Sequence, residues 1–466
     1  LLFLGVGPAR AQQPSLQAQA EAIVDKVSGE WGVLAWSVSQ KEPLISINAD
    51  QVFAPASNNK VFTSVWALSV LGPDYRFPTD LLITGPIRDG ILEGDVVLRG
   101  SGDPAFGYPE FTDDDPMRPL RRMAQALKEL GVRVVKGDVV GDPFIFDTVL
   151  VGPEWPRDTG GGAAAYAPGV SGLPFQRNLI AVKASPNPSG GHALLELDPP
   201  VSVVPLKNEV RTGGGRAWAA RAPDGDTIVV KGGVSGRAPH IYRIGVQHPA
   251  LMTTDALRVA LEQAGIQVMG RSRIDHTPKD ATLAHRHFSI PLARMVHEMN
   301  HVSDNFFAEH IWKAAAAKTL GQGSYRTAGP ASAIFFHRKA GVPFGELYQF
   351  DGSGLSSNDR ITPNAMVRTL LYANRAPFSD AFHASLAVAG EPDGTLKHMF
   401  RNSTAEDNLH GKTGYIDDVR TLSGYVRAKN GELIAFSFLY NGRGTFPARS
   451  VQQQLGELLA NYNGGK

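Results

Sequence analysis

The middle of the chain, residues 89–288, follows a different pattern from the regions on either side of it. Most of this stretch consists of short apolar runs separated by glycine and proline, a pattern typical of β-strands joined by tight turns. The flanking regions contain longer runs with helical periodicity next to alternating, strand-like runs. The sequence therefore predicts an α/β (α+β) domain that is interrupted by a large β-rich insertion.

The chain has 466 residues, which is long enough for two or three domains. After a short leader we expect the first part of the outer domain at residues 12–88, the insertion at 89–288 and the second part at 289–466. The leader, residues 1–11, is an apolar run that ends in Ala9-Arg10-Ala11. This ending resembles the small-x-small cleavage site of a secretory signal, so we expect an exported protein.

Composition excludes several classes of function. The formal charge of +1 provides no bulk electrostatic attraction for nucleic acid. The absence of cysteine excludes disulfides, thiolate zinc sites and cysteine nucleophiles. After the leader no apolar run approaches the ~18 residues of a membrane span. No Gly-x-Ser-x-Gly sequence indicates an α/β-hydrolase nucleophile.

The first candidate motif, Ser57 and Lys60, opens an apolar run with helical spacing. Val61, Val65 and Leu68 repeat at that spacing, so the serine and the lysine share one face of the predicted helix. A desolvated lysine in this position can lose its proton and act as the base that activates the serine. Taken alone, the pair also fits a helix-capping serine beside a solvated lysine.

Two further motifs follow in order. The second motif, Ser303-Asp304-Asn305, lies within a predicted helix at residues 292–317. The third motif, Lys412-Thr413-Gly414, precedes an alternating strand. Each is weak alone, because its residue types are common. Together with the first motif, in this order, they match the set found in serine acyl-transferases of the penicillin-binding and β-lactamase type.

The chain resembles the class C penicillin-binding proteins, which are D-alanyl-D-alanine carboxypeptidases and endopeptidases with a large insertion between the first two motifs. Ser303 follows Ser57 by 246 residues, a gap that such an insertion accounts for. Further runs similar to this family lie at residues 71–77, 99–104, 351–356 and 393–396. The resemblance implies a penicillin-binding/β-lactamase-like fold with an antiparallel sheet flanked by helices. It also implies a serine-type D-Ala-D-Ala carboxypeptidase whose activity can extend to endopeptidase cleavage.

The resemblance implies acyl transfer through an acyl-Ser57 intermediate. Ser57 would attack the carbonyl of a D-amino-acid amide bond while a neutral Lys60 accepts its proton. Lys412 would lower the pKa of Lys60 by like-charge repulsion. Together with the Thr413 hydroxyl, Lys412 would also bind the free carboxylate of the substrate.

The remaining motif residues complete the predicted site. Ser303 would return the proton to the leaving amine, and Asn305 would hold both the base and a substrate carbonyl. The N–H groups of Ser57 and Tyr415 would form the oxyanion hole, and Gly414 would let the substrate approach the strand edge. Tyr415 stands where a small hydroxyl residue is usual in the wider family, so we expect a different outer wall for this hole.

The resemblance also implies partners for the site. Peptidoglycan stem peptides would be its substrates and β-lactam antibiotics its inhibitors, in the periplasm or cell envelope and with no cofactor. Asp142, in the run 142–147, resembles the family aspartate that binds the side-chain ammonium of a diamino acid in the stem. The alternative for Asp142 is an exposed aspartate in a turn.

Three alternatives stay open from the sequence. A β-lactamase shares the acylation step but needs a base for rapid deacylation, and we assign no such carboxylate. A cell-wall-binding relative would have lost activity, against which the retained motifs argue. His297 and His301 fit the His-Glu-x-x-His pattern of zinc peptidases. Glu309 and His310 lie too close on the same predicted helix to complete a tetrahedral site, so we assign no metal.

Overall fold

The protein is described from a computed structural model that covers residues 14–156, 160, 162–222, 225–236 and 238–464. The predicted leader at residues 1–11 lies outside this coverage. Within the covered ranges, no helix combines the length and the apolar character needed to cross a bilayer.

The first part of the chain forms α1 (Leu16–Val24), β1 (Glu30–Ser37), β2 (Glu42–Ile47) and α2 (Asn59–Leu71). The hydroxyl of Ser15 accepts a bond from the N–H of Ala18 at 3.2 Å and so caps α1. α2 is buried on every side from Asn59 to Leu68, which makes it a core helix of the molecule.

The middle region is rich in short strands, as the sequence predicts. Its elements are β3 (Pro78–Ile83), β4 (Ile87–Arg88), β5 (Ile91–Leu92), β6 (Val96–Arg99), α3 (Arg118–Glu129), β7 (Val134–Val135), β8 (Val139–Asp142), β9 (Leu179–Ser185), β10 (Leu194–Asp198), β11 (Leu206–Thr212), β12 (Trp218–Arg221), β13 (Ile228–Val234), β14 (His240–Gly245), α4 (Pro249–Gln263), β15 (Gln267–Val268), β16 (Ser272–Ile274) and β17 (Thr282–Phe288).

Helices dominate again in the last part before the chain returns to strands. Its elements are α5 (Leu292–His301), α6 (Asn305–Leu320), α7 (Tyr325–Ala340), β18 (Leu347–Tyr348), β19 (Arg360–Ile361), α8 (Pro363–Ala373), α9 (Ser379–Ser385), β20 (Ala387–Val388), β21 (His410–Ile416), β22 (Val419–Arg427), β23 (Leu433–Asn441) and α10 (Thr445–Ala460).

The central sheet joins strands from the two ends of the chain. Its order is β2-β1-β23-β22-β21-β20, and every neighbouring pair is antiparallel. Side chains alternate between the two faces of each strand. Val33 and Ala35 therefore pack with α1 and α10, whereas Leu34 packs with α2 and the other helices. This arrangement confirms the predicted antiparallel sheet flanked by helices.

The middle region folds around an apolar core of its own, to which α3 and α4 contribute. Its five-stranded sheet has the order β16-β8-β6-β3-β17, and its four-stranded sheet has the order β15-β7-β5-β4. Two three-stranded sheets, β10-β9-β14 and β11-β13-β12, complete it. Because this core is separate from that of the central sheet, the middle region has the character of an insertion.

Strand pairing bears on where the insertion begins. β3 pairs with β17, and Pro78 lies opposite Phe288. The chain therefore enters and leaves the inserted sheet at adjacent points. This pairing groups residues 78–88 with the insertion, although we predicted them in the outer domain because strand periodicity alone does not identify a strand's partner. The division into domains itself stays a prediction.

Candidate active site

Side chains from all three motifs meet around two buried lysines. Lys60 Nζ donates to Ser57 Oγ at 2.9 Å and to Asn305 Oδ1 at 2.7 Å, which joins the first motif to the second. Lys412 Nζ donates to Ser303 Oγ at 2.9 Å, which joins the third motif to the second. The fold thus brings these five predicted site residues together as two hydrogen-bonded groups, which the second motif connects because Ser303 and Asn305 are two positions apart.

Ser57 belongs to a short 3-10 helix, Ala56–Asn58, that leads directly into α2. Its neighbours on both sides are buried, whereas Ser57 itself is partly exposed. Ala56 has a φ of +45°, a left-handed conformation that is strained for a residue with a side chain. Gly354 packs against this turn so closely that a Cβ there would lie 1.8 Å from Ala56 O. The strained turn is therefore held in place by a close backbone contact.

The start of α2 is also fixed to the central sheet. Thr421 Oγ1 on β22 donates to Pro55 O at 2.8 Å. A Cβ on Gly414 of β21 would lie 2.8 Å from Pro55 O and 2.1 Å from Thr421 Oγ1. Gly414 is therefore required for the protein's own packing beside Ser57. Its predicted role in admitting the substrate stays a prediction.

The second motif lies between two helices. Ser303 adopts a φ of +64°, and Asp304 caps α6 by accepting the N–H of Phe307 at 3.1 Å. This break splits the predicted helix at 292–317 into α5 and α6 and places Asn305 at the start of α6. The prediction of one continuous helix was wrong, because the apolar periodicity on which it depends continues across the break.

α6 carries a polar stripe into the core. Asn305, Glu309 and Lys313 follow one another at intervals of four residues, so they line one face of the helix. Oε1 of the buried Glu309 side chain accepts the N–H of Ser353 at 2.8 Å. This bond fixes the loop whose Ser353 O lies 2.7 Å from Lys60 Nζ. Sequence reasoning missed Glu309 and Ser353, although the spacing along α6 is a signal for Glu309.

Burial controls the charge of Lys60. Loss of solvation lowers the pKa of Lys60 to about 8. Nearby carboxylates oppose this effect and raise the pKa: Asp351, Glu309, Asp304 and Asp359. The balance leaves Lys60 with a pKa near enough to neutrality for the free amine to be populated, which an ordinary lysine does not allow.

Lys412 is also fully buried, and its pKa lies well below its usual range. Burial is the larger cause, and the positive charge of Lys60 adds to it. We predicted that Lys412 would lower the pKa of Lys60 by repulsion. Burial is the largest cause of the lowered pKa of Lys60, and a further lowering by the charge of Lys412 stays a prediction.

β21 presents an open edge beside this cluster. Among the covered residues, β20 is the strand that pairs with β21 on that side, and it reaches only the first two residues of β21. Leu409 O accepts the N–H of Ala389 on the same side. Alternate residues of a strand direct their backbone groups to the same side, so Tyr415 N–H and Thr413 O face this open edge. Lys412 Nζ, 2.9 Å from Thr413 O, lies there as well.

The inserted region contributes two contacts to the second motif. Tyr166 O accepts a bond from Asn305 Nδ2 at 3.0 Å. Arg177 forms an ion pair of 2.6 Å with Asp304. Sequence reasoning missed both contacts, because no local pattern marks a residue whose partner is more than a hundred positions away. The insertion therefore takes part in shaping the site.

Asp142 lies at the end of β8 and is buried. Its Oδ1 accepts the N–H of Phe144 at 3.1 Å, and its Oδ2 accepts the N–H of Thr277 at 2.8 Å. Within the described part of the chain, no hydrogen bond or ion pair joins Asp142 to the three motifs. Binding of a substrate ammonium by Asp142 stays a prediction, and its occupied carboxylate does not favour it.

The two histidines of the alternative zinc pattern stack on each other. The ring centroids of His297 and His301 are 4.8 Å apart, and the rings are nearly parallel, at 15°. Asp393 lies 3.6 Å from His301 Nε2. Across the described ranges, no group of three or more His, Cys, Asp or Glu side chains is placed to hold a metal ion.

Comparison with known proteins agrees with this geometry. Residues 15–462 match the D-Ala-D-Ala carboxypeptidase 3 (S13) family. The chain is 31% identical over 492 residues to the D-alanyl-D-alanine carboxypeptidase of an Actinomadura species, covering 100% of this chain and 89% of that protein. The crystal structure of penicillin binding protein 4 from Haemophilus influenzae is similar, with a TM-score of 0.81 at 23% identity, covering 95% of this chain and 99% of that one. A structure of the same protein complexed with a novel β-lactam has a TM-score of 0.76 at 23% identity and the same coverage.

The fold and these matches define a serine peptidase of the penicillin-binding class. The chain belongs to the D-Ala-D-Ala carboxypeptidase 3 (S13) family. This confirms the family and the penicillin-binding fold predicted from the three motifs. It also confirms the enzyme class, a serine-type D-Ala-D-Ala carboxypeptidase.

Proposed function

We propose that Ser57 is the nucleophile with which this carboxypeptidase forms an acyl-enzyme and that Lys60 is its base. The hydrogen bonding of Lys60 carries the proposal. A neutral lysine amine has two hydrogens and one lone pair. Asn305 Oδ1 and Ser353 O can only accept, and each lies 2.7 Å from Nζ, so they take both hydrogens. The lone pair is left for the hydroxyl hydrogen of Ser57, 2.9 Å away.

The attack on the substrate then follows from the charge of Lys60. With a pKa of about 8, about a tenth of Lys60 is neutral at pH 7. As Ser57 Oγ bonds to the scissile carbonyl carbon, its proton passes to Lys60 Nζ. The N–H of Ser57 at the start of the helix and the N–H of Tyr415 at the open edge of β21 are the donors we assign to the developing oxyanion.

Lys412 is the group we assign to the substrate's terminal carboxylate. It donates to Ser303 Oγ and to Thr413 O, each at 2.9 Å, which leaves a third ammonium hydrogen for a ligand. The Thr413 hydroxyl adds a further donor. An arriving carboxylate would raise the pKa of Lys412 and restore its charge, and that charge would in turn favour neutral Lys60.

Collapse of the tetrahedral intermediate breaks the carbon–nitrogen bond. The leaving amine takes the hydroxyl proton of Ser303, which regains a proton from Lys412 through the 2.9 Å contact between them. Before deacylation, exchange with solvent removes from Lys60 the proton that it took from Ser57 and restores to Lys412 the proton that it gave to Ser303. Water then attacks the ester carbonyl and gives a proton to the neutral Lys60, which passes it to Ser57. The carbon–oxygen bond to Ser57 breaks, and the hydroxyl of Ser57 recovers its proton.

The substrates that this chemistry fits are peptidoglycan stem peptides ending in D-Ala-D-Ala, in the periplasm or cell envelope. A β-lactam presents a strained amide carbonyl to the same nucleophile, so we expect it to acylate Ser57. The β-lactam complex of the Haemophilus protein supports this expectation. Endopeptidase cleavage of cross-linked stems uses the same steps with a larger leaving group.

Intact-protein mass after penicillin treatment, with the modified peptide mapped, tests the proposal. We expect one penicillin adduct, located on Ser57 and lost in Ser57→Ala. Ser69→Ala is the matched control, because Ser69 lies on the same helix beside Tyr372 and outside the cluster. That variant should keep the adduct. An adduct on another residue would contradict the mechanism.

Two kinetic outcomes separate this function from its alternatives. Release of a fluorescent penicillin many times per second would indicate a β-lactamase, whereas a slowly released adduct supports a carboxypeptidase. Unchanged hydrolysis of a D-Ala-D-Ala peptide by Ser57→Ala would remove Ser57 from the reaction and leave the cluster as a binding site.

A further inference from the structure

A cavity of about 500 Å³ opens beside Thr413 and Tyr415 of β21. Its other walls come from the end of α5, the loop at residues 394–399, β22 and α10. Thr413 therefore belongs both to the third motif and to this cavity. The cavity begins at the point where the proposed mechanism places the substrate's terminal carboxylate.

The cavity wall concentrates positive charge. Lys397 from the loop, Arg420 from β22 and Arg449 from α10 all line it. Within the described ranges, no carboxylate forms an ion pair with any of these three side chains. The nearby Asp393 instead lies 3.6 Å from His301 Nε2. Three cations thus share one cavity without a counter-charge from the described protein.

Two further observations indicate that the cavity suits a ligand. Thr395 Oγ1 is buried in its wall and has no hydrogen-bond partner among the described residues. The guanidinium of Arg420 is half-buried and lies 4.9 Å from the centre of the Tyr415 ring. Burial and the charge of Arg449 both lower the pKa of Arg420, which an anion placed between them would relieve. The cavity therefore offers cations, a polar donor and an apolar ring surface.

We propose that this cavity is a subsite for leaving groups that carry a second carboxylate, in addition to the one bound by Lys412 and Thr413. This inference rests on the proposed function of Ser57. One source of such a group is an acidic D-amino acid at the substrate's C-terminus. The other is the stem peptide released when a cross-link is cut. Both would lie along the open edge of β21 and place their extra carboxylate among Lys397, Arg420 and Arg449.

Three peptides that differ only in the last residue test the subsite: a common acyl part followed by D-Ala-D-Ala, D-Ala-D-Glu or D-Ala-D-Gln. For the unmodified enzyme we expect kcat/KM for the D-Glu peptide to exceed that for its isosteric D-Gln peptide about fivefold. The double variant Arg420→Gln, Arg449→Gln should lose this preference and keep its activity on D-Ala-D-Ala. The control is Arg427→Gln, an exposed arginine at the far end of the same strand, which should keep the preference.

Equal rates for the D-Glu and D-Gln peptides in the unmodified enzyme would overturn the subsite, as would a preference that survives in the double variant. A purified cross-linked dimer separates the two sources. If its cleavage falls about fivefold in the double variant, cross-linked stems use the cavity; if only the D-Glu preference is lost, acidic termini alone use it.

Labelling of Ser57 by penicillin distinguishes a failure of the subsite from a failure of the proposed function. Stoichiometric labelling of Ser57 by penicillin shows that a variant is folded and competent. Should the double variant fail to label, Arg449→Gln alone replaces it, because Arg449 does not stack on Tyr415. Loss of labelling in the unmodified enzyme would overturn the proposed function, whereas normal labelling without a D-Glu preference overturns only the subsite.

Discussion

The guanidinium of Arg177 lies 2.6 Å from the carboxylate of Asp304, and this ion pair ties the inserted region to the second motif. Asp304 is almost fully enclosed, with 4% of its side chain exposed, whereas Arg177 keeps 25%. Asp304 also caps α6, directly before Asn305. The insertion therefore helps to fix the turn that presents Ser303 and Asn305 to the two lysines.

Arg177→Met should weaken both this turn and the fold. The substitution leaves the buried charge of Asp304 without its partner, which lowers the free energy of unfolding. Because Arg177 is partly exposed, solvent weakens the ion pair, and we expect the loss to be about 2 kcal/mol. The rate of acylation by penicillin should fall about tenfold as Ser303 and Asn305 lose their position. Urea unfolding and stopped-flow acylation measure the two effects.

Two controls isolate the charge. Arg177→Lys should recover part of the acylation rate, because it keeps the positive charge. Tyr108→Phe removes only the bond of 3.0 Å from Arg177 Nη1 to the Tyr108 hydroxyl and should stay near the unmodified rate. An unchanged rate in Arg177→Met would show that the second motif holds its geometry without the insertion.

The pH dependence of acylation should report on Lys60. Only the neutral amine can accept the Ser57 proton, and burial lowers the pKa of Lys60 to about 8. The acylation rate should therefore rise about tenfold per pH unit below that value and level off above it. Lys60→Arg should lower the rate by about 10³ above pH 8 and remove its rise between pH 6 and 8, because a guanidinium stays protonated. A rate that is flat from pH 6 to 9 would argue against Lys60 as the base.

Most of the side chains that meet around the two lysines could be predicted because they occur at short, fixed spacings inside the motifs. Ser57 and Lys60 lie one helical turn apart, so any helix at this place puts them together. Ser353 O and Tyr166 O could not be predicted in the same way. They are backbone carbonyls, and a carbonyl's position depends on the path of its loop and not on the identity of its side chain.

The fold, too, could be predicted where it depends on local sequence patterns and not where it depends on distant contacts. The alternation of helical and strand-like runs was enough to predict an interrupted α/β domain, and the family resemblance implied the antiparallel sheet flanked by helices. The alternation could not show that β3 pairs with β17, because strand periodicity does not name a partner. The helical periodicity of apolar residues also continues through Ser303 and so does not reveal the break there. At that point a left-handed backbone ends α5, and the capping carboxylate of Asp304 begins α6. These features depend on tertiary contacts, among them the ion pair with Arg177.

Glu309 should act through its shape and not through its charge. Burial and the charge of Asp351 raise its pKa to about 8, so it is mostly protonated at pH 7. Glu309→Gln resembles this neutral form and can still accept the N–H of Ser353. We expect its acylation rate to stay within about threefold of the unmodified rate, whereas Glu309→Ala should lose about tenfold or more because the Ser353 loop is released.

Stability gives an independent check on Glu309. Its pKa is higher in the folded protein than in the unfolded chain, so the stability that protonation provides is lost as pH rises towards the folded value of about 8. Glu309→Gln cannot ionise. The free energy of unfolding of Glu309→Gln minus that of the unmodified enzyme should therefore increase between pH 5 and pH 9. A constant difference over this range would show that Glu309 is already ionised at the lower pH.

Removal of metal ions should leave the enzyme active. The mechanism that we propose for Ser57 uses no metal, and in the described ranges His297 and His301 have no third ligand placed to complete a zinc site. Hydrolysis of a D-Ala-D-Ala peptide should stay within about twofold after treatment with EDTA and in His297→Asn, a change at a half-buried position. Loss of activity with EDTA, restored by zinc and unaffected by penicillin, would favour the zinc peptidase instead.

Gly414→Ala should separate the nucleophile from the strand that faces it. The added methyl group would lie 2.1 Å from Thr421 Oγ1 and 2.8 Å from Pro55 O, so β21 must move away from the turn that carries Ser57. Because the two assigned oxyanion donors lie on opposite sides of this contact, we expect acylation by penicillin to slow about a hundredfold. Gly214→Ala is the matched control, since nothing lies within 4 Å of its Cβ, and it should acylate normally. Stopped-flow acylation compares the two variants, and equal rates would show that the contact between Gly414 and Pro55 does not set the geometry of the oxyanion hole.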